Sequence, residues 1–254
     1  MQQVAIYPDL AAASVFITGG ATGIGADMVR AFVAQGARVA FVDVNADACA
    51  ALRASLTTPA IPPEYEVVDV CEVATLQGAM ARLAARCGAF SVLVNNVAND
   101  ERHLAHEVTP QYFDDRVAVN LRPAFFATQA VVAGMVAAGG GSIINLGSTI
   151  WRIKGAGMPV YGMCKAAITG LTRNMARELG AQNIRINTVS PGWVMTERQL
   201  ALWVDAEGER EIEANQCLQG RLQGDDIAQM VLFLASCASR MISAQDFVVD
   251  AGWT

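Results

Sequence analysis

The 254-residue chain carries 18 Lys and Arg residues, yet nowhere do they cluster. Without a basic patch, nucleic acid and anionic membranes are excluded as partners. The overall balance is acidic, with a formal charge of −6. No apolar stretch approaches the roughly 18 residues of a membrane span. The opening residues, MQQVAIYPDLAAASVF, lack the basic-then-apolar order of a secretion signal. Cysteine is present at Cys49, Cys71, Cys87, Cys164, Cys217 and Cys237, but with no Cys-x-x-Cys pair and no zinc-like spacing. These thiols read as reduced, mostly buried small apolar residues of a cytoplasmic protein. His103 and His106 come with no third ligand cluster, so no metal site is expected.

Charged residues are scarce at 17%, while apolar residues make up 53%, which marks a compact globular chain. Short apolar runs recur at 15–18, 38–43, 65–69, 91–96, 142–148, 185–190 and 246–250. Segments of helical period separate them. Ile24, Met28, Phe32 and Val33 share one helical face; so do Leu76, Met80, Leu83 and Cys87, and then Ile168, Leu171, Met175 and Leu179. Strict alternation of strand and helix predicts an α/β fold: a Rossmann-type, doubly wound parallel sheet of seven strands with helices on both faces. No linker or repeat divides it, so residues 1–254 are expected to form a single domain. The polar, helix-like stretch at about 197–223 stands outside the alternation. It is expected to be an insertion covering the carboxyl ends of the strands.

ITGGATGIGADM (17–28) follows the first strand and opens the first helix. Gly19 permits a tight turn there. Gly23 and Gly25 let the backbone approach a pyrophosphate and the helix pack on the sheet. Asp43 ends the second strand about 20 residues on, where a carboxylate binds the ribose 2′-hydroxyl of NAD and repels the 2′-phosphate of NADP. Neither Thr22 nor Val44 nor Asn45 offers a cation, so NAD is the expected cofactor.

Tyr161 and Lys165 stand four residues apart, on one face of a helix. An ammonium and an oxidised nicotinamide ring would both lower the phenol's pKa and fit it to take a hydroxyl proton. Ser148 precedes Tyr161 by thirteen residues. Asn120 lies in a long helical segment disturbed by Pro123, which cannot donate to the carbonyl of Val119. A polar side chain and a freed backbone group could there hold a water near Lys165.

With TGGATGIG, Asp43, DV at 69–70, NNVA, Asn120, Ser148, YGMCK and PGWVMT (191–196), the chain resembles the short-chain dehydrogenase/reductase family over nearly its whole length. The resemblance implies a tetrad: Ser148 orienting the substrate oxygen, Tyr161 as acid–base, Lys165 on the nicotinamide ribose and Asn120 on a relay water. It assigns Gly19, Thr22, Gly23, Ile24 and Gly25 to the pyrophosphate loop, and Asp69 with Val70 to the adenine border. Asn95, Val97 and Ala98 fall to the adenosine ribose region. Pro191, Gly192, Val194 and Thr196 fall to the nicotinamide amide and phosphates. The family pattern usually reads Asn-Asn-Ala-Gly where this chain has Asn95-Asn96-Val97-Ala98, and the extra methyl of Ala98 narrows the cofactor wall. The family also implies a homo-oligomer, a tetramer.

NDERH (99–103) leaves the carboxyl end of the fourth strand, at the rim of the expected substrate pocket. So many donors and acceptors suit a ligand with many hydroxyls. Asn99, Arg102 and His103 are the expected contacts, together with Ser148 and Tyr161. Trp151 and Trp193 are expected to flank the mouth and to stack on a sugar ring. AIYPDL, NNVANDERH, CLQGR and VDAGW further resemble the aldose 1-dehydrogenases of the family. The expected reaction is NAD-dependent oxidation of an aldose at its anomeric carbon to a lactone. A carbonyl reductase on a non-sugar substrate is the rival enzyme; Asp43 counts against it, since NADPH usually serves such reductases. A non-catalytic nicotinamide sensor is the rival from another class, and it has no need of the tetrad.

Overall fold

A computed structural model describes residues 5–56 and 61–254. Residues 1–4, which head the segment read as lacking a secretion signal, lie outside the described residues. The fold is a single α/β domain around one parallel sheet of seven strands. These are β1 (Ser14–Thr18), β2 (Arg38–Asp43), β3 (Glu64–Val67), β4 (Val92–Asn95), β5 (Gly141–Leu146), β6 (Ile184–Pro191) and β7 (Asp246–Val249). Their spatial order is β3-β2-β1-β4-β5-β6-β7. The chain therefore reverses its direction of travel between β1 and β4, and such a reversal opens a crevice beyond the carboxyl ends of the strands.

The helices are α1 (Gly23–Ala34), α2 (Ala46–Ser55), α3 (Val73–Cys87), α4 (Pro110–Asn120), α5 (Arg122–Ala137), α6 (Pro159–Leu179), α7 (Glu197–Leu202), α8 (Ala206–Asn215) and α9 (Gly224–Ala235). Successive strand residues point to opposite faces of the sheet. Val15 and Ile17 join one core with Met28 and Phe32 of α1 and Ile227 and Val231 of α9. Phe16 joins the other with Leu76 and Leu83 of α3 and Val131 and Met135 of α5. Burying a side chain such as Phe16 contributes about 1.5–3 kcal/mol, so both faces hold the sheet in place.

The third helix face differs from its expected pattern. α6 buries Cys164, Lys165, Ile168, Thr172 and Ala176, while Leu171, Met175 and Leu179 are only partly buried. The stripe turned inward carries a lysine and a threonine because both find partners there. Thr172 receives a hydrogen bond from Asn145 Nδ2 at 2.9 Å and shares another with Thr188 at 2.8 Å. The disturbance expected at Pro123 is a complete break: Leu121, at φ −132° and ψ −51°, separates α4 from α5. The cysteines correct their expectation in part. Cys49, Cys87 and Cys164 are buried, but Cys217 and Cys237 are exposed, since they sit just after α8 and α9 and not on an inner face. Among the described residues no helix is long and apolar enough to cross a membrane. No group of acidic, His or Cys side chains among them could hold a metal ion.

Candidate active site

At the carboxyl end of β1 the chain turns through Gly19 (φ 66°) and enters α1. The packing here leaves no room for side chains. A Cβ on Gly25 would lie 1.8 Å from the carbonyl oxygen of Gly19. The first-turn N–H groups of a helix have no partner within it, so they face whatever occupies the crevice. Thr22 caps the helix without a side-chain bond of its own, and it is exposed. Asp43, at the end of β2, accepts from the backbone N–H of Ala21 at 3.0 Å and of Asn45 at 3.1 Å. Its carboxylate thus sits beside the loop with lone pairs to spare. A cradle of bare backbone, a helix N-terminus and a carboxylate fit the pyrophosphate and ribose of a nicotinamide dinucleotide.

The loop is buttressed by Asn96, a residue that sequence reasoning passed over. Its Nδ2 donates to the carbonyls of Thr18 at 3.0 Å and Gly19 at 2.9 Å. Asn95 corrects its expectation. Its side chain turns into the interior and donates to Asn145 Oδ1 at 2.8 Å, so it makes no wall of the pocket. Val70 is likewise in the apolar core, leaving only its backbone to border a ligand, while Asp69 is exposed and accepts from Cys71 N–H at 2.9 Å. Val97 packs against the glycine turn, where its Cγ2 would be 2.8 Å from a Cβ on Gly19.

A pocket of about 460 Å³ opens beside this cradle. Ile24, Ala98, Pro191, Gly192, Val194 and Thr196 border it on the cofactor side. Ser148, Tyr161 and Lys165 meet at its centre. Ser148 stands just past β5, which ends at Leu146 and not at Ser148 as the apolar run implied. Lys165 is buried, and its Nζ donates to the carbonyl of Leu146 at 2.7 Å and lies 5.8 Å from the centre of the Tyr161 ring. Burial lowers its pKa to about 8, against the opposing pull of Cys164 and Asp100.

The expected fall in the Tyr161 pKa is one for a site holding an oxidised nicotinamide ring. In the protein alone the phenol is pushed above its ordinary value, first by burial and then by the charge of Asp100, with the Ser148 hydroxyl pulling it back.

Asn120 is buried at the end of α4. Its Oδ1 accepts from the N–H of Asn99 at 2.8 Å, and its Nδ2 donates back to the carbonyl of Asn99 at 3.1 Å. Between Asn120 and Lys165 lies a second, small cavity of about 10 Å³, also lined by Thr18 and Asn95. Its size matches about one water.

The substrate rim differs from expectation in three residues. Asn99 makes no wall of the pocket: its Oδ1 caps the N–H of Glu101 at 3.0 Å. His103 also stays out. Its Nε2 accepts from Val160 N–H at 3.2 Å, at the start of α6, so Nδ1 carries the proton and faces the carbonyl of Glu101 at 2.9 Å. Trp151 is exposed and covered by Arg152, whose guanidinium carbon lies 4.7 Å from its ring centre; it does not border the pocket. Arg102 and Trp193 do border it, with Arg102 stacked on Trp203 at 4.9 Å.

Further side chains line the pocket, among them Asp100, Gln199, Glu211 and Trp253, with Ile150, Ile153 and Met158 adding apolar wall. Gln199 and Glu211 belong to α7 and α8, within the stretch expected to cover the strand ends. Trp253 tilts against Trp193 with ring centres 6.4 Å apart. Thr196 joins the halves, since its hydroxyl caps α7 at Gln199 N–H while its methyl lies against Gly23.

Residues 19–254 match a protein-family profile described as enoyl-(acyl carrier protein) reductase. The chain is similar to the D-xylose 1-dehydrogenase of Caulobacter vibrioides, 43% identical over 249 residues, 98% of each chain. Among solved structures it is similar to a short-chain dehydrogenase/reductase from Serratia marcescens, with a TM-score of 0.89 and 31% identity over 97% of this chain and 99% of that one. A blue fluorescent protein from a metagenomic library, solved in complex with NADPH, gives a TM-score of 0.88 and 34% identity over 95% and 98%.

Proposed function

Since the chain belongs to the short-chain dehydrogenase/reductase family and is an oxidoreductase that uses a nicotinamide cofactor, we propose that it oxidises an aldose at the anomeric carbon with NAD, giving the lactone. The observation that carries the reading is the pocket itself. Ser148 and Tyr161 share it with two indoles and with Arg102, Asp100 and Gln199. Aromatic faces beside hydrogen-bonding groups match a sugar ring, and the acceptor positions of Asp100 that Gln199 and Arg198 leave free would go unused by an acyl or steroid substrate. The likeness to a D-xylose 1-dehydrogenase supports the same substrate class.

The bound nicotinamide supplies the hydride acceptor. Ser148 holds the anomeric oxygen, and Tyr161 takes its proton as the hydride leaves the same carbon. Burial raises the phenol, and the positive charge of an oxidised ring held beside it would favour the phenolate. Lys165, held at the carbonyl of Leu146, would bond the nicotinamide ribose. A water in the small cavity between Lys165 and Asn120 carries the proton away. Asp43 takes the adenosine ribose hydroxyls and, with no cation at Val44 or Asn45, sets the preference for NAD. α7 and α8 cover the site. Phe113, Phe125 and Met163, apolar and exposed on α4, α5 and α6, support assembly into a homotetramer, which light scattering measures. The test of the reaction is NAD reduction at 340 nm across aldoses, polyols and simple alcohols. Aldoses should lead; turnover confined to simple alcohols or ketones would refute the sugar reading.

A further inference from the structure

Asp100 belongs to the polar loop but is held differently from its neighbours. Its Oδ2 accepts from Gln199 Nε2 at 2.6 Å, and its Oδ1 lies 3.4 Å from Arg198 Nε. The indole N–H of Trp193 donates to Gln199 Oε1 at 2.9 Å, so the Gln199 amide is fixed with its NH₂ toward Asp100. Trp193, Gln199 and Asp100 thus form one chain of bonds from the end of β6 through α7 to the loop after β4. The Asp100 carboxylate ends that chain inside the pocket, in the company of Ser148 and Tyr161.

A carboxylate offers about four acceptor sites, and two are taken here. Arg102, the other charged group of the loop in the pocket, stacks on Trp203 and does not pair with it. Asp100 lines the same pocket as Tyr161 and Lys165, and its charge raises the pKa of both. An ionised carboxylate has no proton to give, so it selects a donor. It also repels a carboxylate or phosphate on the substrate.

We propose that Asp100 is a specificity-determining residue that accepts a hydrogen bond from the hydroxyl on the carbon next to the one oxidised. The enzyme therefore requires a neutral substrate with adjacent hydroxyls, C1 and C2 of an aldose. The choice of aldose as that substrate rests on the function proposed above, but the need for an adjacent hydroxyl does not.

Two substrate pairs separate these claims: an aldose with its 2-deoxy counterpart, and 2,3-butanediol with 2-butanol. Wild-type enzyme should favour the hydroxylated member of each pair by about 10- to 100-fold in kcat/KM, the range of a hydrogen bond to a charged group. Asp100→Ala should collapse that ratio toward one. Asp100→Asn keeps the shape should the loop and α7 separate in the alanine variant, and it should reduce the ratio several-fold. A wild type that uses 2-deoxyaldose as well as aldose overturns the Asp100 assignment and leaves the sugar reading standing. Turnover of butanediol over butanol without any aldose activity does the reverse. If both members of a pair lose activity in parallel on substitution, Asp100 only holds α7 in place and the proposal fails.

Discussion

The two halves of the site are built from different materials. The cofactor half is backbone: a glycine turn whose carbonyl lies 1.8 Å from where a Cβ on Gly25 would stand, a helix N-terminus, and a carboxylate tied to the loop it serves. The substrate half is side chains borrowed from distant elements. Asp100 meets Gln199 across 99 positions of sequence, and Trp193 meets Trp253. The cofactor half is dictated locally by what cannot be added to it. The substrate half exists only once the strand ends have been brought together.

Where the halves meet, at Tyr161, one substitution should have the largest effect. Tyr161→Phe should leave cofactor affinity, read by fluorescence titration, near wild type. Turnover should drop by about 10²–10⁴-fold, the usual contribution of a general acid–base. Loss of cofactor binding in step with turnover would mean that the halves are not separable there.

Within the substrate half, Arg102→Ala should lower kcat/KM for the best aldose by about 10- to 100-fold and leave the KM for NAD unchanged. Asn99→Ala and His103→Ala sharpen the contrast. Neither side chain borders the pocket, so sugar KM should hold in both. In the cofactor half, Asp43→Ala should reduce the ratio of kcat/KM with NAD to that with NADP by about tenfold, roughly one charge-assisted bond, without changing sugar KM. A shift in sugar KM would show that the boundary is drawn in the wrong place.

The smallest effect crosses the boundary through charge. The groups facing Tyr161 are Ser148, Lys165, Cys164 and Asp100. Asp100 raises both the phenol and the Lys165 ammonium, so Asp100→Asn should lower both. The acid limb of kcat for oxidation, where the phenolate forms, should move to lower pH. The alkaline limb, where Lys165 loses its charge from about 8, should move down with it. A shift of either limb to higher pH would contradict the geometry.

The same division explains what the sequence could say. The inner strands β1, β2, β4, β5 and β6 stood out as apolar runs because both faces of the sheet are buried there, whereas the edge strands β3 and β7 are only partly buried. Tyr161 and Lys165 were legible because four residues on a helix make one face. Asn99, His103 and Trp151 misled, since polarity and position near a strand end do not tell which way a side chain turns. His103 in fact bonds the start of α6, and Trp151 lies under Arg152 on the surface. Gln199 carried no local signal, and Trp253 stood in VDAGW without any sign that it reaches the pocket. Asp100 was visible only as one of five polar residues, and what sets it apart is the amide of a helix 99 residues away. That burial raises the Tyr161 phenol in the protein alone was not legible, because burial depth is a property of the folded chain.

The bonds between Asn120 and Asn99 have a consequence for redesign. Both run through the main chain of residue 99. The base of the loop is therefore pinned without the side chain of Asn99, while Asp100 and His103 add ties of their own to Gln199 and to the start of α6. Libraries confined to Asp100 and Arg102 should retune which polyol is accepted while the proton path behind Asn120 stays in register. Changing Asn120 itself would loosen the loop at its base.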